Sequence, residues 1–213
     1  MLYYIDKIGQ LDDEFVSSLL PYLSSERLEY QSRYRFSIDR TQSILAYILL
    51  RIGLAEDYGI FEMLRLEKAQ TGKPYLADFP EIYFNLSHCK KGVACGVAGF
   101  ELGVDIQDYV PFDEGIAKQF MTLEEIKRAK SDASGREFTR IWALKESYGK
   151  WSGDGICYDL TSQAAVEGIA PNGMFSRCYM LADFALSITA KSQMQLVKLS
   201  AKEVLEKCKK LEV

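Results

Sequence analysis

The hydrophobic period of this chain changes three times, and that order narrows its fold more than any other feature. Ser24-Ser25-Glu26 can open a helix, and Ile44, Leu45, Ile48, Leu49 and Ile52 then recur at helical spacing up to Gly53. The middle of the chain is different. Met63 to Glu67, Ile82 to Leu86, Gly92 to Ala98 and Leu102 to Gln107 are short, apolar or β-branched, and separated by turn residues, which predicts four strands. Helical signals return at Thr122-Leu123-Glu124-Glu125, a capping-box pattern, and over about Arg136 to Trp151. Strands follow around Ser176 to Leu181, Phe184 to Ala190 and Met194 to Leu199, and Ser200-Ala201-Lys202-Glu203 opens a last helix. Helices, strands, helices, strands is an α+β order, and it suggests one unit used twice. The compact small-residue strands Val93 to Ala98 and Phe184 to Ala190 would be the corresponding pieces. The expected boundary lies near Gly103, dividing the chain into 1–103 and 104–213.

Composition excludes several classes. The 213 residues are 48% hydrophobic and 26% charged, enough apolar material for one large or two small cores. The longest apolar stretches, Ile44 to Leu50 and Gly92 to Phe100, fall far short of the roughly 18 residues of a membrane span, so no membrane association is expected. Met1 to Lys7 meets Asp6 too early to form the apolar core of a signal peptide, and a cytoplasmic protein is expected. Lys and Arg number 26 against 30 Asp and Glu, a net charge of −4, so no global positive field favours nucleic acid. The five cysteines (Cys89, Cys95, Cys157, Cys178, Cys208) contain no CxxC and read as reduced thiols, mostly core filler.

Four segments combine polar groups with tight backbone. Gly72-Lys73-Pro74 places a cation on a short turn, where it can meet a phosphate or simply be solvated. Phe84-Asn85-Leu86-Ser87-His88 runs a strand out into the only histidine, with Lys90 and Lys91 beyond it; this is a cluster of donors or an ordinary strand end. On the strand through Leu102-Gly103-Val104-Asp105-Ile106-Gln107, Asp105 and Gln107 share a face beside Gly103. Two oxygen-bearing side chains there suit a hard cation such as Mg²⁺, and they equally suit an exposed edge. Finally, Trp142 to Ile156 is a helix running into a Gly-rich turn, with Glu146 and Lys150 stacked four apart. That pair is either a surface ion pair worth about 0.3 to 0.5 kcal/mol or a metal ligand beside a cation for phosphoryl oxygens.

The ordered set of Gly72-Lys73-Pro74, Phe84-Asn85-Leu86-Ser87-His88, Gly103-Val104-Asp105-Ile106 and Trp142 through Lys150, with its Lys145-Glu146-Ser147 core, resembles the 4′-phosphopantetheinyl transferases of the surfactin type. A weaker likeness reaches upstream through Asp39 to Arg51. The resemblance implies two pseudo-symmetric α/β halves, each a small antiparallel sheet packed with helices, with the active site at the interface between them. It implies transfer of the phosphopantetheine arm of coenzyme A to a serine of an apo acyl, peptidyl or aryl carrier protein, with release of 3′,5′-ADP and with Mg²⁺ as cofactor. On that resemblance Asp105, Gln107 and Glu146 take the metal positions. Lys73, Ser87 and His88 match residues that hold the coenzyme A nucleotide, Lys150 matches the lysine facing the transferred phosphate, and Arg27 and Ser43 match nucleotide contacts more loosely. Asp105, Glu146 and Lys150 are therefore the expected catalytic set.

One position departs from the pattern. The second metal position is usually Glu in this class and is Gln107 here, which removes one negative charge and predicts weaker Mg²⁺ affinity. The alternative reading is a non-catalytic coenzyme A or nucleotide-binding module with a degraded metal site. Carrier proteins are generally acidic, so a local basic surface is needed; Lys118, Lys127, Arg128 and Lys130 offer one, diluted by Glu124 and Glu125. A monomer is expected, because two halves can pair within one chain.

Overall fold

A computed structural model describes residues 1–153, 165, 167–169 and 173–213. In chain order the elements are β1 (Leu2–Asp6), α1 (Asp13–Ser18), α2 (Ser25–Ser32), α3 (Ser37–Tyr58), β2 (Leu66–Lys68), β3 (Pro74–Leu76), β4 (Tyr83–Cys89), β5 (Gly92–Ala98) and β6 (Leu102–Asp108). They continue with α4 (Glu114–Phe120), α5 (Leu123–Ser131), α6 (Arg136–Ser152), β7 (Gly168–Ile169), β8 (Phe175–Met180), β9 (Phe184–Ala190), β10 (Leu196–Lys198) and α7 (Ala201–Cys208). The Gly-rich turn at Asp154 to Ile156 and Cys157 lie outside the described residues.

The chain divides into two compact α+β units, Met1–Gly99 with Met194–Val213, and Phe100–Gln193. This corrects the division at 103 expected from the sequence: the last twenty residues belong with the first unit. The cause is β10, which pairs in parallel with β1 through Leu2↔Leu196, Tyr3↔Val197 and Tyr4↔Lys198. Lys198 Nζ adds a 2.6 Å contact to Asp6. A parallel partner almost two hundred residues away leaves no trace in local periodicity.

In the first unit the sheet order is β10-β1-β5-β4, antiparallel apart from the β1/β10 pair. Helix α3 packs on β5 and β4 and is buried from Gln42 to Leu54, because apolar residues fill all of its faces over that stretch. Gly53 does not end it. A Cβ at Gly53 would stand 2.9 Å from Val97 Cγ2 and 3.2 Å from Tyr3 Cε2, so the glycine serves close approach of helix to sheet. The helix instead stops at Gly59, whose left-handed φ of 70° favours glycine.

The second unit has an antiparallel sheet of order β6-β9-β8-β7, with α6 lying on β6 and β9. One interior strand of each sheet, β5 and β9, is buried along its whole length. Both predicted capping boxes form: Thr122 and Glu125 start α5, and Ser200 and Glu203 start α7. Cys89, Cys95, Cys178 and Cys208 are buried and in no disulfide. Burial outweighs the opposing charges of Arg140 and Arg51 and pushes the thiols of Cys178 and Cys208 up to about 12, which keeps them protonated and unreactive.

Candidate active site

Strand alternation places Gly103, Asp105 and Gln107 on one face of β6, the face that α6 covers. Gly103 makes the approach possible. A Cβ there would sit 1.9 Å from the Ser147 carbonyl oxygen and 2.4 Å from the Trp151 nitrogen, so the helix backbone rests directly on the strand. The same stretch of helix brings Lys150 to Asp105. Lys150 Nζ reaches Asp105 Oδ1 at 2.7 Å and the Val104 carbonyl oxygen at 3.1 Å. Asp105 is 2% exposed and the Lys150 side chain 29%, so the pair is closed on the carboxylate side and reachable on the ammonium side.

Glu146 lies one turn before Lys150 on α6. Its carboxyl is held above the ordinary carboxylate range, first by burial and then by the charge of Asp105, with Lys150 opposing. The structure thus brings Asp105, Glu146 and Lys150, which are separate in sequence, into one electrostatic group. Gln107 is half-buried, two residues along the same strand face, opposite Ala185 of β9.

Among the described residues no group of three or more His, Cys, Asp and Glu side chains forms a metal cluster. Two carboxylates and a carboxamide are a different donor set, and they suit a hard divalent cation, which takes one or two carboxylates and completes its shell with water and phosphate oxygens. A half-buried Glu146 carboxyl whose proton affinity is raised by burial and by the charge of Asp105 is what such a cation relieves, so the residues present fit Mg²⁺.

The first unit holds the residues expected to bind nucleotide. Lys73 is half-buried at the end of the β2–β3 turn, where Gly72 takes φ 84° and its N–H donates to Ala69 O at 2.8 Å. Ser87 is buried and His88 exposed, because neighbours on β4 point to opposite faces; the donor cluster suggested by their adjacency is divided by the sheet. Arg27 and Ser43 do meet. The Arg27 guanidinium donates from Nη2 to Ser43 Oγ at 3.0 Å and Ser43 O at 3.2 Å, and it lies 4.8 Å from the Tyr30 ring centroid and 5.4 Å from that of Tyr47. Burial lowers its proton affinity, yet a guanidinium stays charged. Arg27 lines a cavity of about 890 Å³ with Ser24, Tyr30, Leu64, Lys68 and Pro74. Tyr30 and Lys68 escaped the sequence reading, since an aromatic and a lysine in mixed surroundings carry no motif.

The basic residues near α5 are largely neutralised in place. Lys118 pairs with Glu114 at 3.1 Å, Lys127 with Glu124 at 2.8 Å and Arg128 with Glu137 at 3.3 Å, all between exposed or partly exposed groups.

Residues 101–195, nearly the whole second unit with Asp105, Gln107, Glu146 and Lys150, match the sequence model of the 4′-phosphopantetheinyl transferase superfamily. The 4′-phosphopantetheinyl transferase psf-1 of Bacillus pumilus is 32% identical over 173 residues, covering 78% of this chain and 74% of the relative. The chain belongs to this family. The 4′-phosphopantetheinyl transferase Sfp of Bacillus subtilis is 28% identical over 163 residues, 75% of this chain and 72% of the relative. The 4′-phosphopantetheinyl transferase HetI of a Nostoc species is 31% identical over 144 residues, 63% and 61% of the two chains. As a member, the chain is a transferase that moves the phosphopantetheine group of coenzyme A to a carrier protein, and the non-catalytic alternative is not favoured.

Proposed function

We propose that the transfer is carried out by Asp105, Glu146 and Lys150, with Asp105, Gln107 and Glu146 holding Mg²⁺ and with Lys73, Ser87, His88, Arg27 and Ser43 holding the coenzyme A nucleotide. The observation that carries this reading is the Lys150–Asp105 contact of 2.7 Å beneath α6, beside a Glu146 carboxyl whose proton affinity is raised. Held by these residues, Mg²⁺ would supply positive charge to offset that on the phosphate groups of coenzyme A. Lys150 holds Asp105 in place on one side and keeps an ammonium at the solvent-facing edge, where it offsets charge on the phosphoryl group. Glu146, whose proton affinity is raised by burial and by Asp105, is the residue suited to accept the proton of the carrier serine, directly or through a water. Arg27, already aligned by Ser43 and the two tyrosine rings, offers a guanidinium to phosphate at little cost in ordering.

A basic surface around Lys118, Lys127, Arg128 and Lys130 guides the acidic carrier weakly, given how much of it is paired. Buried protonated thiols support a reducing, cytoplasmic setting, and the chain acts as a monomer.

The test mixes the protein with coenzyme A, Mg²⁺ and several apo-carriers and follows by mass spectrometry the arm added to serine. Wild type modifies at least one carrier. Asp105→Ala and Glu146→Ala fold normally and lose transfer by at least about a hundredfold; full activity in either removes these site assignments.

A further inference from the structure

Both sequence neighbours of Glu146 are buried polar side chains, and neither is explained by the reaction. Lys145 is 4% exposed and its Nζ lies 2.7 Å from Oε2 of Glu125, itself 1% exposed. The same Glu125 closes the start of α5, accepting from the Thr122 N–H at 2.8 Å, and its other oxygen accepts from the Ala165 N–H. On the other side, Ser147 Oγ donates to Leu144 O at 2.8 Å and lies 2.9 Å from Ser187 Oγ and 3.0 Å from Thr189 Oγ1, both on β9. Thr189 Oγ1 is in turn 2.9 Å from Ser176 Oγ on β8. With Ser147 donating to Leu144, Ser187 and Thr189 must donate to Ser147, and Ser176 to Thr189. One direction of donation satisfies the whole chain of hydroxyls.

Successive residues on a helix are turned by about 100°, so Lys145, Glu146 and Ser147 cover a continuous arc of α6 with Glu146 in its middle. One edge of the arc is fixed to α5, the other to the sheet. An apolar pair of the same volume would pack α6 as firmly as a buried ion pair does, since a buried pair often contributes no net stability over such a replacement. What an apolar surface does not fix is rotation about the helix axis, because it accepts neighbouring orientations with similar energy. Directional bonds do fix it.

We propose that the Lys145–Glu125 ion pair and the Ser147–Ser187–Thr189 hydroxyl cluster are a two-sided clamp that sets the rotation of α6, and that Lys145 and Ser147 are thereby positioning residues for Glu146. The inference rests on the reading of Glu146 given above and adds to it the means by which that carboxylate is aimed. Neither clamp residue touches substrate; both act through Glu146.

The double variant Lys145→Met with Glu125→Gln removes both buried charges and keeps an acceptor for the Thr122 N–H while giving up the one for the Ala165 N–H. Ser147→Ala removes the hydroxyl at similar volume. Each should melt within a few degrees of wild type, while kcat falls by roughly tenfold or more from loss of alignment. The Michaelis constant for the carrier should stay within about twofold, because that surface is untouched. Calorimetric binding of Mg²⁺ in the presence of coenzyme A should weaken in the same variants. Wild-type kcat and wild-type Mg²⁺ binding in the stable double variant overturn the clamp. If the double variant does not fold, Ser147→Ala alone decides by the same two readouts. Asp105→Ala, run in parallel, separates the two ideas: full activity there defeats the site reading itself, whereas an inactive Asp105→Ala beside fully active clamp variants defeats only the clamp.

Discussion

The two units solve the same packing problem with opposite chemistry. Each lays its longest helix across a four-stranded sheet, and each needs a glycine to bring helix and strand close. In the first unit the glycine is in the helix: Gly53 faces the ends of Val97 and Tyr3, and the interface is apolar. In the second it is in the strand: Gly103 faces the backbone of α6 at Ser147 and Trp151, and the interface carries Ser147, Ser187, Thr189 and Asp105. Two buried polar side chains of α3 in the first unit are absorbed by main chain. Gln42 donates to Cys89 O at 2.7 Å, and Arg51 donates to Tyr22 O at 2.9 Å and to Phe61 O at 2.6 Å, which ties loops to α3. In the second unit Ser147, Ser187, Thr189 and Ser176 meet one another, and Lys150 meets Asp105. The difference teaches that the close contact at Gly53 is made by apolar packing, while its counterpart at Gly103 gives up apolar contact to hold charged groups in place.

The sharpest way to break this contrast is to add one methyl group to each glycine. Gly103→Ala drives a Cβ into backbone, which cannot yield locally, so α6 must lift; transfer should fall at least about a hundredfold. Gly53→Ala meets flexible side-chain ends and should destabilise by about 1 to 3 kcal/mol while leaving transfer intact below the melting temperature. Denaturation curves and initial rates on the same samples check both. Equal losses of activity would mean that the two layers are not functionally distinct.

A smaller effect concerns charge. In the folded protein Glu146 keeps its proton to higher pH than it does when unfolded, so its ionisation opposes folding. That penalty is absent below the ordinary carboxylate pKa, grows as pH rises from there, and is complete above the raised value. Glu146→Gln should therefore raise the melting temperature at pH 7 to 8 in EDTA, with the gain fading by about pH 4. Added Mg²⁺ should shrink the gain. A shift of equal size at all pH values would contradict the electrostatic account.

Gln107→Glu restores a carboxylate on the same strand face and should lower the Mg²⁺ concentration for half-maximal transfer by severalfold, on the order of 3 to 10. An unchanged half-saturation would show that position 107 does not sense the metal. The smallest expected effect is on the carrier: Lys127→Glu should raise its Michaelis constant about two- to threefold at low salt without altering that for coenzyme A. The Glu124 partner already cancels most of the charge.

Much of the second unit was legible because its signals are local. The Thr122 capping box, the extent of α6 and the bounds of β9 each depend on residues within a few positions of one another. The sharing of one face by Asp105 and Gln107 needed only strand alternation. Other features were not legible. Gly53 has the same letters around it whether it ends a helix or lets one approach a sheet, and only Val97 and Tyr3 decide between them. Ser87 and His88 look like one cluster in sequence and are separated by the period of the very strand that carries them. The buried hydroxyls of Ser187 and Thr189 sit in a strand whose pattern shows burial but not what it is buried against.

The sequence by itself therefore determined the alternation of helical and strand regions, the caps that start α2, α5 and α7, and the four segments in which most of the candidate residues lie. Tertiary structure decided that β10 closes the first unit beside β1, that Lys150 reaches back 45 residues to Asp105, and that Glu146 feels the like charge of Asp105. The division has a physical reason. Periodicity and capping are set by energies acting over one or two turns, whereas burial, close approach and proton affinity depend on atoms that only chain collapse brings within a few ångströms.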